Sequence, residues 1–352
     1  MHSSKETLLK MLMTCGLFIL IFGAMSFGIM QFYFGGENYY YQDSNERDAL
    51  AGTIDTLVIG ASHAQRGFDT RVIDEKWDCN SYNLGGPSFS VQGRYDLMKR
   101  ELARNPVKTV VIEVSTGTAR QGRDTVGYEG DLYYMGRMNH LSERVSYFFQ
   151  AFKPSEYAET YSFFLSNGLD CLERLKDDKY RNDNNELRYK GYSPYLYEDY
   201  TDVTPKKGYK KLYNTSKVKS FEPIEENVEY LQKIVDLCKS YDCKVIMATV
   251  PVSLRLICKN SIYDDGLSWY RSFAKENDLE YLDFNLLKNR DQLFSDKYSF
   301  NADGLHLYND SATLFTEQFC DIFSKVEAGE DVSDLFFESY DAYERTQDYY
   351  PE

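Results

Sequence analysis

Five short runs constrain the fold of this chain more than any other feature. "DTLVIG" (55–60), "CNSYNLG" (79–85), "KTVVIEVS" (108–115), "KVIMATVP" (244–251) and "EYLDFN" (280–285) are β-branched or aromatic and bounded by turn residues, the pattern of buried strands. Between them lie stretches such as "VQGRYDLMKRELAR" and "IEENVEYLQKIVDLCKSY", whose apolar residues recur at three- and four-residue spacing, as on one face of a helix. Continuous apolar strands alternating with helices predict a parallel sheet covered on both faces. In such sheets a binding crevice opens beyond the carboxyl ends of the strands.

A second constraint is topological. From Met11 to Phe34 the chain carries no charge, long enough as a helix to cross a hydrocarbon layer of ~30 Å. Lys5 and Lys10 precede this run and Glu37 follows it, so the positive-inside bias puts residues 1–10 in the cytoplasm and the rest outside. We read 11–34 as a retained signal anchor, giving a single-pass protein of the cell membrane, because the apolar run continues past Ser26. The competing reading is a signal peptide cleaved after the small residues at Ala24 and Ser26. Either way the main domain, expected over 35–325, is exported.

Other features exclude more than they assign. The net charge of -15 argues against a nucleic-acid partner, since phosphate binding needs a basic stripe and none is visible. Outside Cys15 in the span, Cys79, Cys171, Cys238, Cys243, Cys258 and Cys320 form an even set, and Cys238 and Cys243 flank "KSYD". The reading adopted is buried thiols, with a local disulfide as the alternative. No motif calls for a metal or an organic cofactor. The stretch 116–221 is rich in tyrosine and asparagine and breaks the strand–helix rhythm, so we expect an insertion over the sheet, whose tyrosines pack onto the core or stack on sugar rings. The last segment, 326–352, has nine carboxylate side chains and is expected to be a mobile or loosely docked tail.

The chemistry concentrates in two places. In "VIGASHAQRGFD" a strand runs into a turn at Ser62, where a hydroxyl would face the crevice and an oxyanion could sit near a helix N-terminus. Ser62 could equally cap that helix. About 240 residues later, "NADGLH" places Asp303 and His306 in one local turn. A serine hydroxyl is a weak nucleophile until a general base takes its proton, and the base needs a carboxylate to fix its tautomer. Of the four histidines, His2 lies on the cytoplasmic side, His140 is in the insertion, and His63 adjoins Ser62 with its side chain expected to point elsewhere, toward structure or substrate.

"GAS" after the first strand, "NLGG" after the second and "DGLH" near the chain end together resemble the SGNH (GDSL-like) hydrolase superfamily. The resemblance covers about 55–115 and 244–325 and implies a three-layer α/β/α, flavodoxin-like fold. It makes Ser62 the nucleophile, Asp303 the acid and His306 the base, with the backbone of Ser62 and of Gly85 or Gly86 forming the oxyanion hole. The family's third block usually supplies an asparagine, whereas "VVIEVSTGTARQGR" has Ser115 and Thr116 there. Asn83, Ser88 and Gln92 are candidate substitutes, with His63, Asn83 and Gln92 as candidate substrate contacts. With its anchor the chain looks like a membrane-bound subgroup that includes the lipoteichoic acid D-alanine transfer protein and alginate O-acetylation proteins. That likeness implies acyl transfer to a cell-surface polysaccharide or teichoic acid beside a membrane-bound O-acyltransferase. The alternative is a non-catalytic glycan-binding or assembly module on the same fold. Geometry discriminates: Ser62 and His306 within hydrogen-bond reach, with Asp303 on the other ring nitrogen, favours the enzyme.

Overall fold

The structure, a computed structural model, describes residues 2–34, 39–122, 129–138, 140–174, 188–195, 203, 220–259 and 262–344. They fall into two compact units, one made of 1–46 with 134–185 and the other of 47–133 with 186–352. The stretch 116–221 is thereby divided between them. Most of the long loop expected within "GYSPYLYEDYTDVTPKKGY" lies outside the described residues.

The larger unit holds five strands, β1 (Thr56–Ile59), β2 (Ser81–Asn83), β3 (Thr109–Glu113), β4 (Lys244–Thr249) and β5 (Glu280–Asp283). Each falls inside one of the five runs. All pair in parallel in the order β2-β1-β3-β4-β5, with Val58 opposite Asn83 on one side and Val111 on the other. This is the doubly wound, flavodoxin-like order, whose topological switch point lies between β1 and β3. Alternate strand residues sort to opposite faces. Val58, Val111, Ile246 and Leu282 join a buried cluster with Phe68, Phe315, Phe319 and Phe323, so the helix Asn309–Glu327 packs beneath that face. The helices Val91–Arg104 and Glu225–Ser240 pack on each other, with the Tyr95 and Tyr230 rings 5.8 Å apart.

Two charged residues sit on the buried side of Val91–Arg104. Positions 91, 94, 98 and 101 share one face, and Arg94 and Glu101 are as buried there as Val91 and Met98. Glu101 is neutralised by Arg47 at 2.5 Å, both side chains fully buried. Arg104 also holds Glu101, at 2.8 and 3.0 Å, so the buried carboxylate is shared between two guanidinium groups.

The expectation of a loose tail from 326 is overturned for the residues described. Tyr340 and Tyr343 are buried. Backbone bonds join Lys288 to Leu335 and Phe337 to Leu286, and the Tyr343 hydroxyl donates to Asp291 at 2.8 Å. The acidic composition masked an aromatic anchor: Phe336 packs against the main core, while Phe337, Tyr340 and Tyr343 cluster with Leu267 and Leu286. Residues 345–352 lie outside the described set. Cys238 and Cys243 are buried free thiols, as the adopted reading expected, and Cys320 is buried and free as well. Burial pushes the Cys238 thiol up to about 12.

In the smaller unit the first helix, His2–Tyr33, contains a span, Glu6–Tyr33, long and apolar enough to cross a membrane. A membrane anchor and a signal sequence both have this length and composition. The helix Tyr157–Arg174 lies against its C-terminal part. Gly168 meets the Ile29 backbone so closely that a Cβ would stand 2.4 Å from the carbonyl oxygen, and the Tyr161 hydroxyl bonds Ser26. Tyr33, Phe34, Phe163 and Phe164 complete the contact as an aromatic cluster.

Candidate active site

The two motifs meet at the C-terminal edge of the sheet, by the switch point. β1 ends at Ile59, and Ser62 opens the short helix Ser62–Gly67. The N-cap is Ala61, which has no side chain to cap with, so Ser62 is not spent as a cap. Its hydroxyl is free to point outward.

The late motif is a tight loop. Phe300 and Leu307 pair as an antiparallel bridge, the Asn301 N–H donates to the His306 carbonyl at 2.8 Å, and Gly304 turns the chain at φ +74. Within it Asp303 Oδ1 accepts the N–H groups of Leu305 (2.7 Å) and His306 (3.2 Å), which aims Oδ2 at His306 Nδ1, 2.6 Å away. His306 Nε2 then lies 2.8 Å from Ser62 Oγ, across 244 residues of sequence.

What holds the two motifs together is the helix that follows His306. Thr316 bonds the Gly67 carbonyl (3.0 Å) and accepts the Asp69 N–H (2.9 Å), while Thr313 donates to Asp69 Oδ2. Phe68 packs edge-on against Phe315 and Phe319 beside these bonds. The serine helix and the histidine loop are thus fixed to one rigid element.

Electrostatics fit a serine–histidine–aspartate relay. Burial pushes the Asp303 carboxyl up, but its bonds to His306 and to the two backbone N–H groups outweigh this and hold it below its ordinary value. It stays ionised and keeps the proton of the imidazole on Nδ1, leaving Nε2 as the base. His63 is different. Burial, reinforced by the nearby His306 and Arg94 charges, lowers it to about 3. Its ring lies 5.3 Å from that of His306.

Sequence reasoning missed Glu113 and Arg94. Glu113, at the end of β3, is buried and accepts the Ala61 N–H on Oε2 at 2.9 Å. A Cβ on Gly60 would stand 2.5 Å from that oxygen, so only glycine lets the carboxylate reach the residue before Ser62. Its Oε1 lies 3.7 Å from His63 Nδ1, too long for a hydrogen bond. Burial raises the Glu113 carboxyl against the opposing pull of Arg94 and the Ala61 N–H. The signals were present: a lone acid closing an aliphatic strand, and an arginine on the apolar face of an amphipathic helix. A third omission is Tyr195, whose ring stands 5.4 Å from His306 and is stacked by Arg66 at 4.3 Å.

The expected oxyanion and binding residues divide. Gly85 donates its N–H to Asn83 Oδ1 at 2.9 Å, so that donor is committed. Its glycine identity serves packing, since a Cβ would meet the Gln65 nitrogen at 2.5 Å and the Ala61 oxygen at 2.9 Å. Asn83 is fully buried and spends its amide on the Ala64 and Phe68 carbonyls at 2.7 and 2.9 Å. It therefore stitches β2 to the serine helix and is not a substrate contact. Gly86 is buried beside them. Ser62, His63, Ser88, Gln92, Arg94, Ser115 and Thr116 do line one cavity, of about 470 Å³. That is the size of a small-ligand site.

No family profile matches this chain, and no curated protein does. Among solved structures it is similar to a Bacteroides fragilis protein assigned by inference as an acylhydrolase, at TM-score 0.40 and 10% identity over 80% of this chain and 94% of that one. It is likewise similar to a GDSL-like lipase of Bacteroides thetaiotaomicron, at TM-score 0.39 and 11% identity over 83% of this chain and 100% of that one. At such scores neither likeness bears on activity.

Proposed function

We propose that this chain is a membrane-anchored, extracytoplasmic serine esterase or acyltransferase of SGNH type. One observation carries the reading: the unbroken hydrogen-bonded series Asp303–His306–Ser62, assembled from opposite ends of the domain. This geometry favours an enzyme over a binding module on this fold.

The residues dictate the steps. His306 Nε2 takes the Ser62 proton as Oγ attacks an ester carbonyl, and Asp303 steadies the imidazolium. The Ser62 N–H, in the first turn of its helix where no intrahelical acceptor exists, is the first oxyanion donor in this reading, with the Gly86 N–H as the second. Collapse expels the alcohol, protonated by His306, and leaves acyl-Ser62. A second hydroxyl, deprotonated by the same nitrogen, then takes the acyl group: water in an esterase, a polysaccharide or teichoic acid hydroxyl in a transferase.

The anchor gives the reading its location. The charge pattern around the apolar helix supports a domain outside the cell; no cytoplasmic acyl donor is at hand there, so in this reading a membrane-bound O-acyltransferase is the partner that would load Ser62. The test is p-nitrophenyl acetate turnover by the full chain with and without a polyol or oligosaccharide acceptor. The reading expects p-nitrophenol release that depends on Ser62 and acetyl esters on the acceptor. Release equal to that of Ser62→Ala would refute it.

A further inference from the structure

The helix Leu141–Ala151, in the same compact unit as the apolar first helix, is two-faced. Arg144, Tyr147 and Ala151 are buried. On the other side Leu141, Val145 and Phe149, spaced i, i+4, i+8, are 55%, 47% and 65% exposed. Their exposed neighbours are Ser142, Ser146 and Gln150, so that surface carries no charge. Leaving a leucine, a valine and a phenylalanine in one open stripe is costly in water and calls for a covering phase.

The position of the helix says which. Arg144 donates to the Phe34 carbonyl at 3.2 Å and lays its guanidinium 4.2 Å over the Phe34 ring, while its Nε holds the Met138 carbonyl at 2.7 Å. Phe34 is the last large apolar residue of the charge-free run, three residues before Glu37. The helix is therefore pinned at the level where the span leaves the hydrocarbon. Phe148, Phe149, Phe152 and Tyr157 form an aromatic cluster there, and phenylalanine and leucine are among the residues an interfacial helix buries at the headgroup boundary.

We propose that Leu141–Ala151 is an interfacial helix whose Leu141/Val145/Phe149 face inserts into the lipid surface of the outer leaflet. This rests on the anchor reading above. Such a helix gives the protein a second hold on the bilayer and restricts rotation about a single span.

The test uses the full chain in nanodiscs of dibrominated phosphatidylcholine, compared with non-brominated lipid. Trp77 and Trp269, read in the unsubstituted protein, supply the baseline. A tryptophan is then placed singly at Phe149, at Leu141 and, within the span, at Phe22, with unfolding temperatures confirming that each variant folds. An interfacial helix buries its apolar face ~5–10 Å below the headgroups, within reach of the bromines, so added emission from Phe149→Trp and Leu141→Trp should fall at least about twofold. Quenching of Phe22→Trp alone would overturn the proposal and leave the anchor intact, assigning the stripe to a protein partner. Quenching at none of the three positions would overturn both.

Discussion

Replacing Asp303 with asparagine should disable the site while leaving its shape almost unchanged. Oδ1 receives two backbone N–H groups, from Leu305 and His306, so the carboxamide oxygen must take that place. The NH₂ group then faces His306 Nδ1 at the 2.6 Å position now held by Oδ2. Two donors cannot face each other, so Nδ1 surrenders its proton and Nε2 acquires it. An Nε2–H pointing at Ser62 Oγ cannot accept the serine proton. The analogous exchange in serine proteases costs ~10⁴ in turnover, about 5.4 kcal/mol at 1.36 kcal/mol per tenfold. The assay is steady-state hydrolysis of p-nitrophenyl acetate, with a thermal melt to show that Asp303→Asn still folds. There is a matching pH effect. A carboxyl depressed in the folded state stabilises above its unfolded pKa, and that contribution disappears as pH falls through the folded value, so the variant should lack this part of the acid limb. Turnover within tenfold of wild type would refute the tautomer argument.

Three further outcomes follow from neighbouring residues. His63, lowered from 6.5 to about 3, should stay neutral by NMR at neutral and mildly acidic pH; because the unfolded chain binds that proton first, His63 should contribute a stability loss approaching ~1.4 kcal/mol per pH unit as pH falls across this window, a slope that His63→Gln removes in pH-dependent urea melts. Gly85→Ala pushes a methyl group into the backbone at Ala61 and Gln65 and should move the nucleophile by a good fraction of an ångström, costing ~10² in kcat; unchanged kcat would show that the serine helix is not fixed by this contact. Asn83→Ala takes the amide donor away from the Phe68 and Ala64 carbonyls, of which Ala64 keeps the Phe68 N–H, and should lower stability by roughly 1–3 kcal/mol for the Phe68 carbonyl left unsatisfied, read as a shift in the urea midpoint.

The sheet was legible because strands covered on both faces write themselves as unbroken apolar runs, and all five runs contain an observed strand. The meeting of Ser62, Asp303 and His306 was legible because they occupied positions that the alternating pattern delivers to one sheet edge. What stayed hidden was the use of backbone amides. Nothing in "NLGG" reveals that the Asn83 side chain occupies the Gly85 N–H, since that depends on a turn two residues long closing on itself. Glu113 and Arg94 were overlooked because their charge reads as surface, whereas a pair sharing one enclosed region tempers the cost of burial. The C-terminal segment misled for the same reason in reverse: its carboxylates suggested solvent, yet Phe336, Tyr340 and Tyr343 decide where it lies.

The central claim is that Ser62 carries the acyl group, activated by His306 at 2.8 Å. Treatment of the folded full chain with a serine-directed fluorophosphonate, followed by peptide mass spectrometry, tests it most directly. The account predicts a single adduct on the peptide containing Ser62, absent from Ser62→Ala and strongly slowed in His306→Ala. Labelling of Ser62→Ala at the wild-type rate, or an adduct on another serine, would contradict it.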